Sequence, residues 1–179
     1  GYSAYNFHTR QAAFDAITKH NIGCVVMNPL GGGLIPQNPD LFQHVKKDKD
    51  ETVVEGALRF LFSHPDINVT LVGFGSEQEV REALKAANTF SPLTEQQLAE
   101  IKAETTDRFE GICTGCQYCD ECPEGIPIPK LMDAYNHKIL RNSDKEMMNR
   151  LRFHWDISPD EAAKCIECGQ CEEACTQHL

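Results

Sequence analysis

Eight of the nine cysteines fall between residues 113 and 175, in two tight groups. The first, Cys113-Thr-Gly-Cys116-Gln-Tyr-Cys119-Asp-Glu-Cys122-Pro123, reads CxxCxxCxxCP; the second, Cys165-Ile-Glu-Cys168-Gly-Gln-Cys171-Glu-Glu-Ala-Cys175, reads CxxCxxCxxxC. Three thiols at steps of three, in a loop that wraps a cube, present three thiolates to three irons of one cluster. The spacing therefore predicts two [4Fe-4S] clusters. In two-cluster ferredoxins the fourth cysteine of each run serves the other cluster, which pairs Cys113, Cys116, Cys119 and Cys175 on one and Cys165, Cys168, Cys171 and Cys122 on the other. The pattern departs from that precedent in two places: the first run has two residues rather than three before its last cysteine, and Thr176 stands where proline usually follows the second.

Structural zinc would normally show two CxxC pairs separated by a long spacer, which fits an unbroken run of four cysteines poorly. A disulfide framework would suit an exported protein, and nothing in the sequence indicates export. The acidic neighbours Asp120, Glu121, Glu124, Glu167, Glu172 and Glu173 oppose addition of an electron and should lower a cluster potential, less so where solvent screens them. Cys24 stands apart inside an apolar run and reads as a small buried hydrophobe.

The elements that must position these residues belong to a chain of 179 residues, 41% hydrophobic and 25% charged, enough for one moderate core plus a small appended module. A net charge of -10, from 17 basic against 27 acidic residues, argues against nucleic acid and anionic membrane surfaces as partners. No apolar run approaches the ~20 residues that span a bilayer, and the N-terminus lacks the pattern of a secretory signal, so a cytoplasmic location is expected.

The first ~108 residues alternate short apolar runs with helical patterns, the mark of βα units and a parallel sheet. Residues 2–7 are expected as a strand, 9–20 as a helix stopped by Asn21 in a left-handed conformation, and 23–27 as a buried strand. The run from Pro29 to Gly33 is a glycine loop able to approach a ligand closely. A helix over 51–64 should bury Val54, Ala57, Leu58 and Leu61. The strand at 67–72 then turns at Gly73 to Ser76 into a helix burying Val80, Ala83, Leu84 and Ala87. Thr94 and Gln97 form a capping box for a last helix that should run to about Asp107. Beyond it the texture changes, and two domains are expected, 1–109 and 110–179. In the second, 128–140 should be helical, and Ser158 starts a helix with Glu161 at the capping-box position. Phe153 and Trp155 are expected to cover the cluster domain.

On these residues the chain resembles the aldo-keto reductase-like oxidoreductases that end in a ferredoxin-like domain. Gly23 to Gly33 looks like the family's seventh barrel strand and its loop, and Leu71 to Ser76 with the next helix looks like the eighth strand and the cofactor-binding turn. The resemblance implies an α/β fold: the C-terminal part of a (β/α)8 barrel, about strands six to eight, followed by a mainly helical iron-sulfur domain. It also implies a nicotinamide cofactor, NAD(P)H, across the barrel mouth, a position where phosphate sites are commonly built from the loops after strands seven and eight. By position Tyr5 would match the aromatic that stacks on nicotinamide. Asn28, Leu30 and Gly31 would lie by the pyrophosphate, and Gly75, Ser76, Glu79 and Ala83 near the adenosine. Gly75 replaces a residue that is often basic in the family, and an acid at Glu79 would repel a 2'-phosphate, so no strong NADP preference is expected.

The family's catalytic Asp, Tyr, Lys and His come from the earlier half of the barrel and have no matching positions here, so no catalytic residue is assigned. A barrel typically takes ~250 residues, so the missing N-terminal half or a complementary chain is the expected partner. The seven histidines are scattered, with no metal-binding pair at helical spacing. Nicotinamides move two electrons together and each cluster passes one, so a redox partner or the missing half would have to connect them. The expected function is an oxidoreductase with an appended electron-transfer domain; the alternatives are a module serving a partner protein and clusters that act only as structural staples.

Overall fold

The computed structural model describes residues 2–106, 109 and 111–179. The chain forms two units, Gly1–Arg108 and Phe109–Leu179. The fold is mixed α/β and mostly helical, and the described residues contain two strands. Among them no helix is long and apolar enough to cross a membrane.

In the first unit, helix α1 (Gln11–His20) ends where Asn21 takes up a left-handed conformation, with φ of 49°, so that its N–H meets carbonyls of the last turn. Strand β1 (Cys24–Val26) leads through a loop and the short helix α2 (Leu34–Gln37) to helix α3 (Val53–Phe62). Strand β2 (Ile67–Thr70), helix α4 (Glu77–Asn88) and helix α5 (Glu95–Thr106) follow. The strands pair in parallel, Cys24 with Ile67, Val25 with Val69 and Val26 with Thr70, with one irregularity after Cys24. Parallel strands need such a helical crossover to bring the chain back to the same end of the sheet.

Helix α3 organises the core. Thr52 Oγ1 accepts from the Glu55 N–H at 3.1 Å while Glu55 Oε2 accepts from the Thr52 N–H at 3.2 Å, a reciprocal cap that fixes where the helix starts. Ala57, Leu58 and Leu61 are fully buried, and each leucine contributes about 1.5–3 kcal/mol by leaving water. Gly56 is required here: a Cβ would lie 2.5 Å from the Val45 carbonyl oxygen. That close approach lets the preceding loop lie on the helix, and Arg59 ties it down by donating to both Glu51 carboxylate oxygens at 2.9 Å and to the Val45 carbonyl at 3.0 Å.

Several local expectations change in three dimensions. Residues 2–7 are turns leading into a 3-10 helix rather than a strand, because Tyr2 and Tyr5 turn inward to join the core. The strand over 23–27 is not buried on both sides: Val26 is, but Val25 is 56% exposed and Met27 is also exposed. Val69 and Leu71 are exposed as well, so apolar side chains of both strand segments are left uncovered. Cys24 is only half-buried. On α4 the buried position is Ala86, with Val80 and Ala83 partly covered and Leu84 and Ala87 exposed. Asp107 lies outside the described residues.

The second unit contains helices α6 (Ile128–Arg141), α7 (Asp144–Asn149) and α8 (Gln170–Glu173), with a π-helical turn over Arg150–His154. Asp133 on α6 gathers this turn: its Oδ2 accepts from Arg150 Nε and from Trp155 Nε1, both at 2.7 Å. Lys130 and Arg150 lie 5.5 and 5.7 Å from the centre of the Trp155 ring. Trp155 is thereby held on α6, while Phe153 is 85% exposed. Ser158 starts a 3-10 helix, Pro159–Lys164, its side chain accepting from the Asp160 N–H and its carbonyl from the Glu161 N–H.

Candidate functional site

The two cysteine motifs adopt matching backbone conformations. Two residues after the first cysteine of each run, Gly115 and Glu167 have positive φ of 67° and 55°; two residues later, Gln117 and Gly169 do the same at 66° and 78°. These left-handed turns point amides inward: the Gly115 N–H donates to Cys113 Sγ and the Glu167 N–H to Cys165 Sγ, each at 3.4 Å. Gln117 and Glu167 occupy a conformation that costs a side-chain-bearing residue energy, a form of strain that clusters at functional sites.

All nine cysteines are free thiols. Burial pushes the Cys113 thiol up, and the nearby charges of Cys116, Cys119 and Cys175 push it further. Cys119 is raised by burial and by the nearby charges of Cys116, Cys175 and Cys171. Cys116 is the exception: burial acts upward, but the Tyr118 amide and the hydroxyls of Thr176 and Thr114 outweigh it and bring the thiol below its ordinary value. Thr176 Oγ1 lies 3.8 Å from Cys116 Sγ, so the residue standing in place of proline brings a hydroxyl to the first motif.

A separate cavity of about 390 Å3 is lined by Cys119, Cys122, Cys165, Cys168 and Cys171, with Glu121, Glu124, Glu167 and Glu172 among the surrounding residues. Among the described residues no three Cys, His, Asp or Glu side chains converge as a single ion would require. A cube gives each thiolate its own iron and asks instead for sulfurs spread around a central space. Sulfurs around a cavity, and amides turned toward sulfur, fit such a group.

The second motif is the more open of the two. Cys165 and Cys168 are exposed, whereas the four cysteines of the first run are half-buried. What the spacing did not reveal is Asn136 on α6, whose buried side chain accepts from the Cys113 N–H at 2.8 Å and donates to the Cys113 carbonyl at 2.9 Å. An asparagine within a helix carries no local signal for such a contact 23 residues away.

In the first unit, a cavity of about 490 Å3 lies between the loops that follow β1 and β2. Its lining includes Asn28, Leu30, Gly32, Gly33, Gly73, Glu79 and Ala83. Leu30 and Val72 pack on the cluster of Val54, Leu58 and Ala86, which anchors both loops to α3 and α4. Gly31 lies beside this lining with φ of 66°, and a Cβ there would sit 2.5 Å from the Tyr5 ring. Tyr5 itself is 1% exposed, packed against Gly31 and 6.3 Å from Phe42, so its ring is part of the core in this conformation. Glu79 folds back on its own turn: its Oε2 accepts from the Gly75 N–H at 2.7 Å, while Ser76 caps α4 by accepting from the Glu79 N–H at 3.3 Å. A side-chain carboxylate thus already sits at the amide of this loop.

Comparison with known families adds to the geometry. Residues 1–105, more than half of the chain, match the aldo/keto reductase family. The chain belongs to that family. In this aldo/keto reductase family member the matched region is N-terminal, and residues 112–179 match the 4Fe-4S dicluster domain. The two matches together are those of an oxidoreductase with an iron-sulfur module. No curated protein and no solved structure matches the chain.

Proposed function

We propose that this aldo/keto reductase family member joins part of a cofactor-binding barrel to a ferredoxin-like electron-transfer domain with two [4Fe-4S] clusters. The observation that carries this reading is the cavity in which cysteines of both motifs, Cys119 and Cys122 with Cys165, Cys168 and Cys171, surround one space. Cys113, Cys116, Cys119 and Cys175 would hold one cluster; Cys165, Cys168, Cys171 and Cys122 would hold the other. When bound, the clusters would supply one-electron transfer. The chain's own contribution is to spread the thiolates, to donate N–H groups of Gly115 and Glu167 to sulfur, and to place carboxylates beside the more open site. Anaerobic purification followed by iron and sulfide counting tests this, with about eight irons per chain expected and each cluster reduced by one electron. Zinc in place of iron would end the reading.

The cavity between the two loops is of a size common for small-molecule sites. A nicotinamide dinucleotide is the ligand that the family suggests, with Asn28, Leu30 and Gly31 toward the pyrophosphate and Gly75, Ser76 and Glu79 toward the adenosine. The Glu79 carboxylate stands against a 2'-phosphate, so NAD(H) should raise the melting temperature at least as much as NADP(H). No thermal shift with either would remove the nicotinamide from the proposal. Tyr5 would have to leave the core to stack on the ring, which makes it the weakest of the assigned contacts. The uncovered Val25, Met27, Val69 and Leu71 would pack against further strands of the barrel, and those strands or a redox partner would supply the catalytic residues and the electron connection.

A second reading, clusters as structural staples alone, draws support from the scarcity of buried side chains in residues 152–179. The two readings part on reduction: bleaching of the visible absorbance by dithionite and its recovery in air favour electron transfer, and inert clusters favour the staple.

A further inference from the structure

We infer that Asn136 is a positioning residue for one cluster and not the other, a proposal that rests on the cluster reading above. Its amide meets both main-chain polar groups of Cys113, accepting from the N–H at 2.8 Å and donating to the carbonyl at 2.9 Å. Two opposed hydrogen bonds fix a peptide segment as a neighbouring strand would, in position and in rotation. Asn136 is 6% exposed, so water competes weakly for these bonds, and removing the amide leaves a donor and an acceptor of Cys113 unsatisfied. The loop beyond Cys113 bonds its sulfur, through the Gly115 N–H at 3.4 Å. It is exposed at Gly115 and contains two successive left-handed turns, whereas α6 is a fourteen-residue helix braced through Asp133 to Arg150 and Trp155. The main chain of the first ligand of the first motif is therefore held by the helix, while its own loop reaches only the sulfur; the helix bond is an outer contact of the kind that orients ligands and tunes a metal centre. Both hydrogen bonds of the side chain go to the first motif, so its influence should fall on the cluster held by Cys113, Cys116, Cys119 and Cys175.

The test uses the full chain, loaded with iron and sulfide under anaerobic conditions, and three variants: Asn136→Leu, Asn136→Asp and, as a control on the same helix, Asp133→Asn. Iron release to bathophenanthroline disulfonate is followed optically. The Asn136→Leu chain is expected to release half of its iron at least about tenfold faster than the unmutated chain, the scale seen when outer-shell partners of a metal ligand are lost, and the other half at the unmutated rate. Release in one phase at the unmutated rate overturns the proposal, and so does equally fast loss from Asp133→Asn, which would make helix integrity the cause. Should Asn136→Leu fail to fold, redox titration of Asn136→Asp decides. Its carboxylate keeps the acceptor but sets negative charge against the Cys113 carbonyl, so one reduction step should move to lower potential while the other stays. Two unmoved steps, or two that move together, overturn the proposal. Failure of the cluster reading looks different: the unmutated chain would then bind no iron or acid-labile sulfide, and the proposal would fall with it.

Discussion

The two units differ in how much apolar core they bury. In the first, large apolar side chains including Ile35, Phe42, Val45, Leu58, Phe60 and Leu61 are removed from water around α3, and the loops that border the candidate nucleotide cavity are hung on that core through Leu30 and Val72. In the second, buried apolar residues are few, among them Phe109, Ile112, Ile126, Ala134 and Leu151, and among the described residues from 152 to 179 none is buried. That stretch carries four of the cysteines. A chain with so little core needs another source of order, and for metal-binding modules the binding free energy is also folding free energy. With clusters bound as proposed, one chain would keep a scaffold that folds by burial and another that folds by ligation.

The comparison can be broken most decisively by removing iron. Chelation under reducing conditions should abolish hydrogen-exchange protection across residues 109–179 while leaving α3 and its neighbours protected; equal protection with and without iron would show that the second unit needs no ligation. Next in size, Leu58→Ala should cost about 2–5 kcal/mol by opening a cavity in the first core, read as a lower urea midpoint, with the iron content unchanged. A smaller loss is expected from Asp133→Ala, about 1–3 kcal/mol, since Arg150 and the Trp155 N–H lose their acceptor. Here the signal should come from the second unit, seen as a red-shifted and less protected Trp155 fluorescence.

The smallest effect is one of pH. Burial, against the rings of Tyr2 and Phe14, lowers the His64 pKa, Asp66 offsets this in part and Lys102 reinforces it. The folded value lies below the unfolded one, so the unfolded chain binds the proton first. The contribution is complete above about pH 6.5 and declines as pH falls below it, until the folded form is protonated too. Urea melts of the first unit should show this slope between neutral pH and pH 5, and His64→Gln should flatten it.

Local signals were read from the sequence with success where the physics is local. The Thr94 and Gln97 cap forms, with the Thr94 N–H donating to Gln97 Oε1 at 3.0 Å and the Gln97 N–H to Thr94 Oγ1 at 3.2 Å. Asn21 and the run Gly31 to Gly33 are left-handed as their residue types suggest. The misreadings share one cause. A period of apolar residues says that a face exists but not what covers it, so Leu84 and Val25 were expected inside and stand exposed, while Tyr2 and Tyr5 went to the core instead of a strand. From its type and position Glu79 is a repulsive charge near a ligand, and its bond to the Gly75 amide exists only with the turn in place.

The sequence by itself determined the kind of chemistry this chain can do, because cysteine spacing along a tight loop limits where the sulfurs can go, and it determined the βα texture of the first hundred residues, because hydrophobic period and capping act within a few residues. Tertiary structure alone decided which cysteines of the two distant runs share a cavity, that the loops after two parallel strands border one space, and that an asparagine on α6 holds Cys113. Those are contacts between residues far apart in the chain, and their energies exist only after the intervening segments have folded.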